Sequence, residues 1–279
     1  MDIIHTISDL RHRLKSESSI GFAPTMGNLH AGHLQLVSEL QKKSNCQVVS
    51  LFVNRLQFGA HEDFNQYPRT LEQDCVKLEE MGCHVVYIPA ESEIYPTEQM
   101  ILIDHRVLTH ELEGAIRPGH FSGMLTIVMK LFQIVHPQVV AFGQKDFQQT
   151  VLVRQLIEQL SCPIELLMVP TFRASDGLAL SSRNGYLTPD ERQKAPQLYR
   201  QILHIETEIK AGKIDFLNMS NLAQQTLDQM GWQTDYIRIC HPKTLKASTP
   251  EDQNWVILGA SRLGKTRLID NILTKPPHA

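Results

Sequence analysis

Five β-rich apolar runs, spaced so that helices fit between them, constrain this chain more than any other feature. They cover residues 20–23, 47–53, 84–89, 138–142 and 164–169. Between them lie stripes of helical period. Leu34, Val37 and Leu40 form one, and Leu71, Cys75, Leu78 and Met81 form another that Gly82 closes. The strongest starts at Phe121 and continues through Met124, Leu125, Val128, Leu131, Phe132 and Val135, until His136-Pro137 stops it. Continuous apolar strands alternating with amphipathic helices argue an α/β fold, a doubly wound (Rossmann-like) parallel sheet. Residues 3–14 read as a short helix before the first strand, 101–104 as a further short strand, and 107–112 as a short helix.

The character changes after about residue 171. Thr188-Pro189-Asp190-Glu191 is a capping box with proline at the first helical position. It is expected to start a long helix carrying Leu198, Ile202, Ile205 and Ile209, with a second helix ending near Met230. Strand-like runs follow at 233–240 and 255–260. The expected division is a Rossmann-like domain over 1–172 and a second, smaller α+β domain over 173–279. The tail at 275–279, with two prolines, is expected to fray.

At 279 residues the chain is long enough for one large core or two smaller ones. A formal charge of −3 gives no electrostatic case for nucleic acid as the main partner. Residues 1–10 hold no charged-then-apolar leader, and no run is long enough to span a membrane, so a cytoplasmic location is expected. Cys46, Cys75, Cys83, Cys162 and Cys240 lack the close spacing of a zinc site and read as buried or half-buried thiols.

Chemistry concentrates at strand ends. Pro24-Thr25-Met26-Gly27-Asn28-Leu29-His30-Ala31-Gly32-His33 reads as strand, tight turn and helix start. One helical turn puts His30 and His33 on one face. Gly27 and Gly32 leave room for a ligand, and free N–H groups at a helix start attract anions. The imidazoles add donors, so the place suits the phosphates of a nucleotide; His-x-Gly-His alone also fits a surface turn or half a zinc site. Gly143-Gln144-Lys145-Asp146 offers close backbone approach, a phosphate-binding amine and an acceptor for a sugar hydroxyl or an amine. Taken alone, these residues favour a polar turn with a solvated Lys–Asp pair. Leu180-Ser181-Ser182-Arg183 puts two hydroxyls and a guanidinium in one loop, either a triphosphate clamp or a flexible interdomain linker. Phe52, Asn54, Gln57 and Phe58 make an apolar wall with amides, suited to a small ligand, although Phe58 reads as ordinary packing.

The ten-residue opening string resembles the His-x-Gly-His motif of nucleotidylyltransferases and class I aminoacyl-tRNA synthetases. In its full length it resembles one family, the pantothenate synthetases (pantoate–β-alanine ligases). The resemblance continues through Phe52-Val53-Asn54, Gln57-Phe58-Gly59, Tyr67-Pro68-Arg69-Thr70, Arg117-Pro118-Gly119-His120-Phe121, Gly143 with Lys145-Asp146, Gln148-Gln149 and Ser181-Ser182-Arg183-Asn184, with a fainter match over Arg267-Leu268-Ile269-Asp270-Asn271. Arg55 stands where the family usually has proline, Gln144 where it has Glu, Leu180 where it has Met, and Phe172-Arg173-Ala174 where it has Val-Arg-Glu.

The resemblance implies that ATP, pantoate and β-alanine give pantothenate, AMP and pyrophosphate through a pantoyl adenylate. It implies His30, His33, Lys145 and Arg183 as catalytic groups, His33 as the proton donor. The ATP site would be lined by Met26, Gly27, Asn28, Leu29, His30, Ala31, Gly32, His33, Gly143, Gln144, Lys145, Asp146, Phe172, Leu180, Ser181, Ser182 and Arg183. Gln57 and Gln149 would hold pantoate, with Phe52 against its methyl groups, and Gln57 would also contact β-alanine. Mg2+ would bridge ATP phosphates without assigned protein ligands, and the family implies a homodimer. The alternatives are a nucleotidylyltransferase acting on another small molecule and a non-catalytic nucleotide-binding regulator.

Overall fold

A computed structural model describes residues 1–60 and 62–274; the tail at 275–279 lies outside them. The elements run β1 (Asp2–Ile4), α1 (Ile7–Leu14), β2 (Ile20–Thr25), α2 (Ala31–Gln41), β3 (Cys46–Leu51), α3 (Leu71–Glu80), β4 (Val85–Tyr87), the single turns α4 (Glu91–Ile94) and α5 (Glu113–Ile116), α6 (His120–Val135), β5 (Val139–Gly143), α7 (Phe147–Gln159) and β6 (Glu165–Val169). Then come α8 (Pro189–Lys194), α9 (Gln197–Lys210), α10 (Phe216–Gln229), β7 (Gln233–Cys240), β8 (Trp255–Leu263) and β9 (Thr266–Thr274). They form two compact units, one of Met1–Gly143 and Gln148–Pro170, the other of Gln144–Phe147 and the chain from Thr171 on.

In the first unit six parallel strands lie in the order β1-β4-β3-β2-β5-β6. From β2 the chain winds outward through β3 and β4, then returns to β5 on the other side of β2. The switch point therefore falls between β2 and β5, and ligands of open α/β sheets bind beyond the carboxyl ends of such strands. The opening motif leaves β2 there, and β5 ends in Gly143. Every residue of β3 is buried, as a central parallel strand requires. The apolar stripe of α6 is buried along its length, from Phe121 to Val135. At Gly123 a Cβ would sit 2.1 Å from the Leu56 carbonyl oxygen, so glycine lets α6 pass against the turn that follows β3.

The second unit pairs β7, β8 and β9 antiparallel, in that order. Leu198, Ile202, Ile205 and Ile209 of α9 share a core with Leu227 of α10 and Ile257 of β8. Gly259 of β8 makes room for α9, since a Cβ there would lie 2.9 Å from Ile202.

Several local expectations are corrected. Residues 2–4 form an edge strand, and the first helix starts only at Ile7, capped by Thr6. Residues 101–104 pair with no strand, and the helix expected at 107–112 is a 3-10 turn over Leu108–His110. The capping box at Thr188 and Glu191 is formed, but Pro196 splits the expected long helix into α8 and α9, because it has no N–H and its ring clashes with the preceding turn. Strand β9 was not anticipated. Among the described residues no helix is long and apolar enough to cross a membrane. Cys46, Cys83 and Cys240 are buried thiols, and Cys75 and Cys162 are half-buried.

Candidate active site

The turn from β2 into α2 passes through two left-handed residues, Gly27 at φ +83° and Asn28 at φ +51°. These are the residue types that tolerate such a backbone. A carboxylate holds the turn. Asp74 of α3, 1% exposed, accepts the N–H groups of Asn28 (2.8 Å) and Leu29 (2.7 Å), and the Thr70 hydroxyl donates to it at 3.2 Å. One turn further along α3, the Lys77 ammonium donates to the Leu29 carbonyl at 2.7 Å.

The two histidines cap their own helix. His30 Nδ1 accepts the Gly32 N–H at 3.2 Å, and His33 Nδ1 accepts the His30 N–H at 3.3 Å. Their rings stack with centroids 4.0 Å apart. An imidazole that accepts through Nδ1 has Nε2 as its donor nitrogen. The amides of Asn28, Leu29, His30 and Gly32 are thus taken by protein groups. This corrects the expectation of open helix-start N–H groups at those four positions.

The turn after β3 supplies amides. Gln57 donates through Nε2 to the Met26 sulfur at 3.2 Å, which brings it to the opening motif. Its Oε1 accepts from Asn54 Nδ2 at 3.1 Å, and Asn54 is fixed in turn by Tyr95, whose hydroxyl donates to Oδ1 at 2.7 Å. The Gln57 carbonyl accepts from His120 Nδ1 at 2.7 Å. Arg117 donates to the other ring nitrogen of His120 and grips Glu62 with two 2.6 Å bonds. Burial, helped by Arg117, pushes the His120 pKa down to about 4. Phe52 is buried beside Tyr95. Phe58 packs edge-on against Phe64 and Tyr67, the ordinary packing expected of it. Arg55 turns away to Glu91 at 2.9 Å and lies over the Phe64 ring. In the first turn of α7, Gln149 is half-buried, whereas Gln148 is a buried staple to the carbonyls of Leu108 and Glu111.

The remaining candidates belong to the second unit. The Lys145 ammonium lies 3.8 Å from Asp146. Asn271 of β9 donates through Nδ2 to the carbonyls of Gln144 and Lys145, both at 2.9 Å. Phe172 and Leu180 face each other across a tight hairpin, the Leu180 N–H donating to the Phe172 carbonyl at 3.0 Å. The Phe172 side chain is 42% exposed. Ser181 accepts the Arg183 N–H at 3.3 Å and so starts the short turn Ser182–Tyr186. Asp74, Lys77, Tyr95, His120 and Asn271 were not among the expected site residues. Buried or half-buried polar side chains next to a motif are the signal that marks them, and burial is not written in the sequence. Among the described residues no group of three His, Cys, Asp or Glu could hold a metal ion.

A parallel sheet with a His-x-Gly-His turn at its switch point, and amides beside it, defines a nucleotide-using α/β enzyme. The model of one family, described as pantoate-beta-alanine ligase, matches residues 2–273. The chain is 49% identical to the pantothenate synthetase of Nitrosospira multiformis over 276 residues, 99% of each chain. It is 49% identical to that of Neisseria meningitidis over 278 residues, 99% of this chain and 100% of the relative. The crystal structure of the Thermus thermophilus pantothenate synthetase superposes with a TM-score of 0.94 at 41% identity, covering 98% of this chain and 99% of that one. The Francisella tularensis ligase, solved with β-γ ATP and β-alanine, gives 0.83 at 34% identity, covering 98% and 97%. The chain belongs to the pantoate–β-alanine ligase family. A nucleotidylyltransferase acting on another small molecule is not favoured.

Proposed function

We propose that this ligase makes pantothenate in two steps at one adenine nucleotide. The observation that carries the reading is the intact His-x-Gly-His turn at the switch point of a chain matched by the ligase model along nearly its whole length. A carboxylate does not acylate an amine at neutral pH, because its oxygen is a poor leaving group. A pantoate carboxylate oxygen attacks the α-phosphorus of ATP, and the bond to pyrophosphate breaks. The β-alanine amine then attacks the carbonyl of the pantoyl adenylate, loses a proton, and AMP leaves with the bonding pair.

Charge builds on the phosphate oxygens in the first step, and preorganised donors stabilise it. His30 and His33 supply Nε2–H donors, with His33 as the proton donor. Lys145, Ser181, Ser182 and Arg183 hold the triphosphate. Gln57 and Gln149 bind pantoate, and Phe52 meets its methyl groups. Magnesium fits this scheme as an ion carried by the nucleotide, with phosphate and water oxygens as its donors, since the Lys145–Asp146 turn offers one half-exposed carboxylate rather than a cage. When bound, it neutralises charge on the phosphates. The smaller domain is proposed as a lid that shields the adenylate from water. A cytoplasmic location and a homodimer complete the reading. The exposed apolar run of Met100, Ile101 and Leu102, outside both sheets, supports self-association, because such a surface is stabilised when a second copy covers it.

The test is a mass-spectrometric search for pantothenate after mixing protein, ATP, magnesium, pantoate and β-alanine. An amide product is expected, together with ATP–pyrophosphate exchange that requires pantoate. Exchange without pantoate, or AMP without amide, overturns the reading.

A further inference from the structure

Strand β9 buries two consecutive polar residues, Asp270 at 5% exposure and Asn271 at 2%. Successive strand residues face opposite sides, so the two serve different faces. Asp270 lies opposite Gly259, the position whose missing Cβ admits α9, so it is on the helix-covered face. There Arg173 holds it with bonds of 2.7 and 2.8 Å while stacking 3.6 Å from the Tyr199 ring centroid of α9. Asn271 faces the other way. Its Nδ2 donates to the carbonyls of Gln144 and Lys145, and its Oδ1 accepts from Gln144 Nε2 at 3.2 Å. Its own N–H donates to Asp270 at 2.7 Å, and its carbonyl accepts from Arg173 at 3.3 Å.

A buried amide is costly unless satisfied, and every polar group of Asn271 is satisfied. Its bonds go to the two peptide units that carry the Lys145 side chain. We propose that Asn271 is a positioning residue for adenylate formation: it fixes the Gln144–Lys145 backbone so that the Lys145 ammonium is set for the phosphates, with Arg173 and Asp270 bracing the strand from its other face. The inference rests on the reading of Lys145 as a triphosphate ligand. Asn271 touches no substrate, and its effect passes through Lys145.

The experiment separates the two half-reactions in the full-length protein. Asn271→Asp keeps the shape but replaces the Nδ2 that donates to both carbonyls with a carboxylate oxygen that faces them. Pantoate-dependent ATP–pyrophosphate exchange is expected to fall by about 10- to 100-fold, the scale of a small misplacement of a reacting group. Amide formation from supplied pantoyl adenylate and β-alanine is expected to stay within about threefold of the parent. Asn271→Ser, which keeps one donor, is expected to fall between. It carries the test if Asn271→Asp does not fold, as judged by thermal melting. Exchange within about threefold of the parent, or equal losses in both half-reactions, overturns the proposal. Lys145→Ala is the control: if it leaves exchange intact, the assignment of Lys145 is what fails.

Discussion

A histidine that accepts a backbone N–H through Nδ1 cannot hold a proton there without losing that bond. His30 and His33 both accept backbone N–H groups in this way, which leaves Nε2 as the donor of each ring and supports the proposal that they hydrogen-bond phosphate oxygens. His33→Ala is therefore expected to lower kcat by about 10²–10³, the usual cost of one such donor, in steady-state assays. Gln57→Ala is expected to raise the KM for pantoate and leave that for ATP little changed. The reverse split would reassign the turn after β3. His120 gives a stability prediction with a definite sign. Its pKa falls from 6.5 unfolded to about 4 folded, so the unfolded chain binds more protons between those values. The contribution is whole above about pH 6.5 and is lost as pH falls toward 4, a matter of a few kcal/mol at most. Melting temperatures from pH 7 to 4.5 are expected to drop less in His120→Gln than in the parent. The motif residues were legible as chemistry because histidine, glutamine and lysine at strand ends have few cheaper explanations in combination. Their supports were not, because an Asp in a helix, such as Asp74, looks in sequence like any solvated carboxylate.

At the scale of elements, what the sequence showed best was what period alone decides. The stripe of α6 and the uninterrupted apolar run of β3 carry their burial in their spacing. Strand β1 was hidden because its three residues, Asp2–Ile4, run into the helix pattern that follows and owe their strand to pairing with β4. The reverse error at 101–104 has the same root: β propensity was present and a partner strand was not. Strand β9 was hidden by Asp270 and Asn271, which break the apolar alternation because they serve Arg173 and the Lys145 loop. Close packing gives the prediction here. Gly123→Ala puts a methyl group 2.1 Å from the Leu56 carbonyl, so α6 or the Arg55–Gln57 turn must move. A loss of about 1–3 kcal/mol in denaturant unfolding is expected, with a raised KM for pantoate.

For the molecule as a whole, the expected site residues divide between the two units. Met26 to His33, Phe52, Gln57, Gly143 and Gln149 lie in one; Lys145, Phe172, Ser181 and Arg183 lie in the other. The functional roles proposed for the two halves come from the family motifs, since no composition shift marks a nucleotide site. The proposed homodimer would use the exposed run beside α6. Ile101 is 78% exposed and Met100 79%. If that run joins two copies, Ile101→Glu is expected to yield a monomer in light scattering where the parent gives a dimer. A parent that is itself monomeric removes the homodimer from the reading.

The carboxylate of Asp74 closes the β2–α2 turn with groups the protein already owns. If the turn holds ATP as proposed, its backbone is fixed by the protein itself, and nucleotide binding has little left to freeze. In deuterated buffer, the amide protons of Asn28 and Leu29 should survive long after those of surface loops have exchanged, with the nucleotide absent throughout.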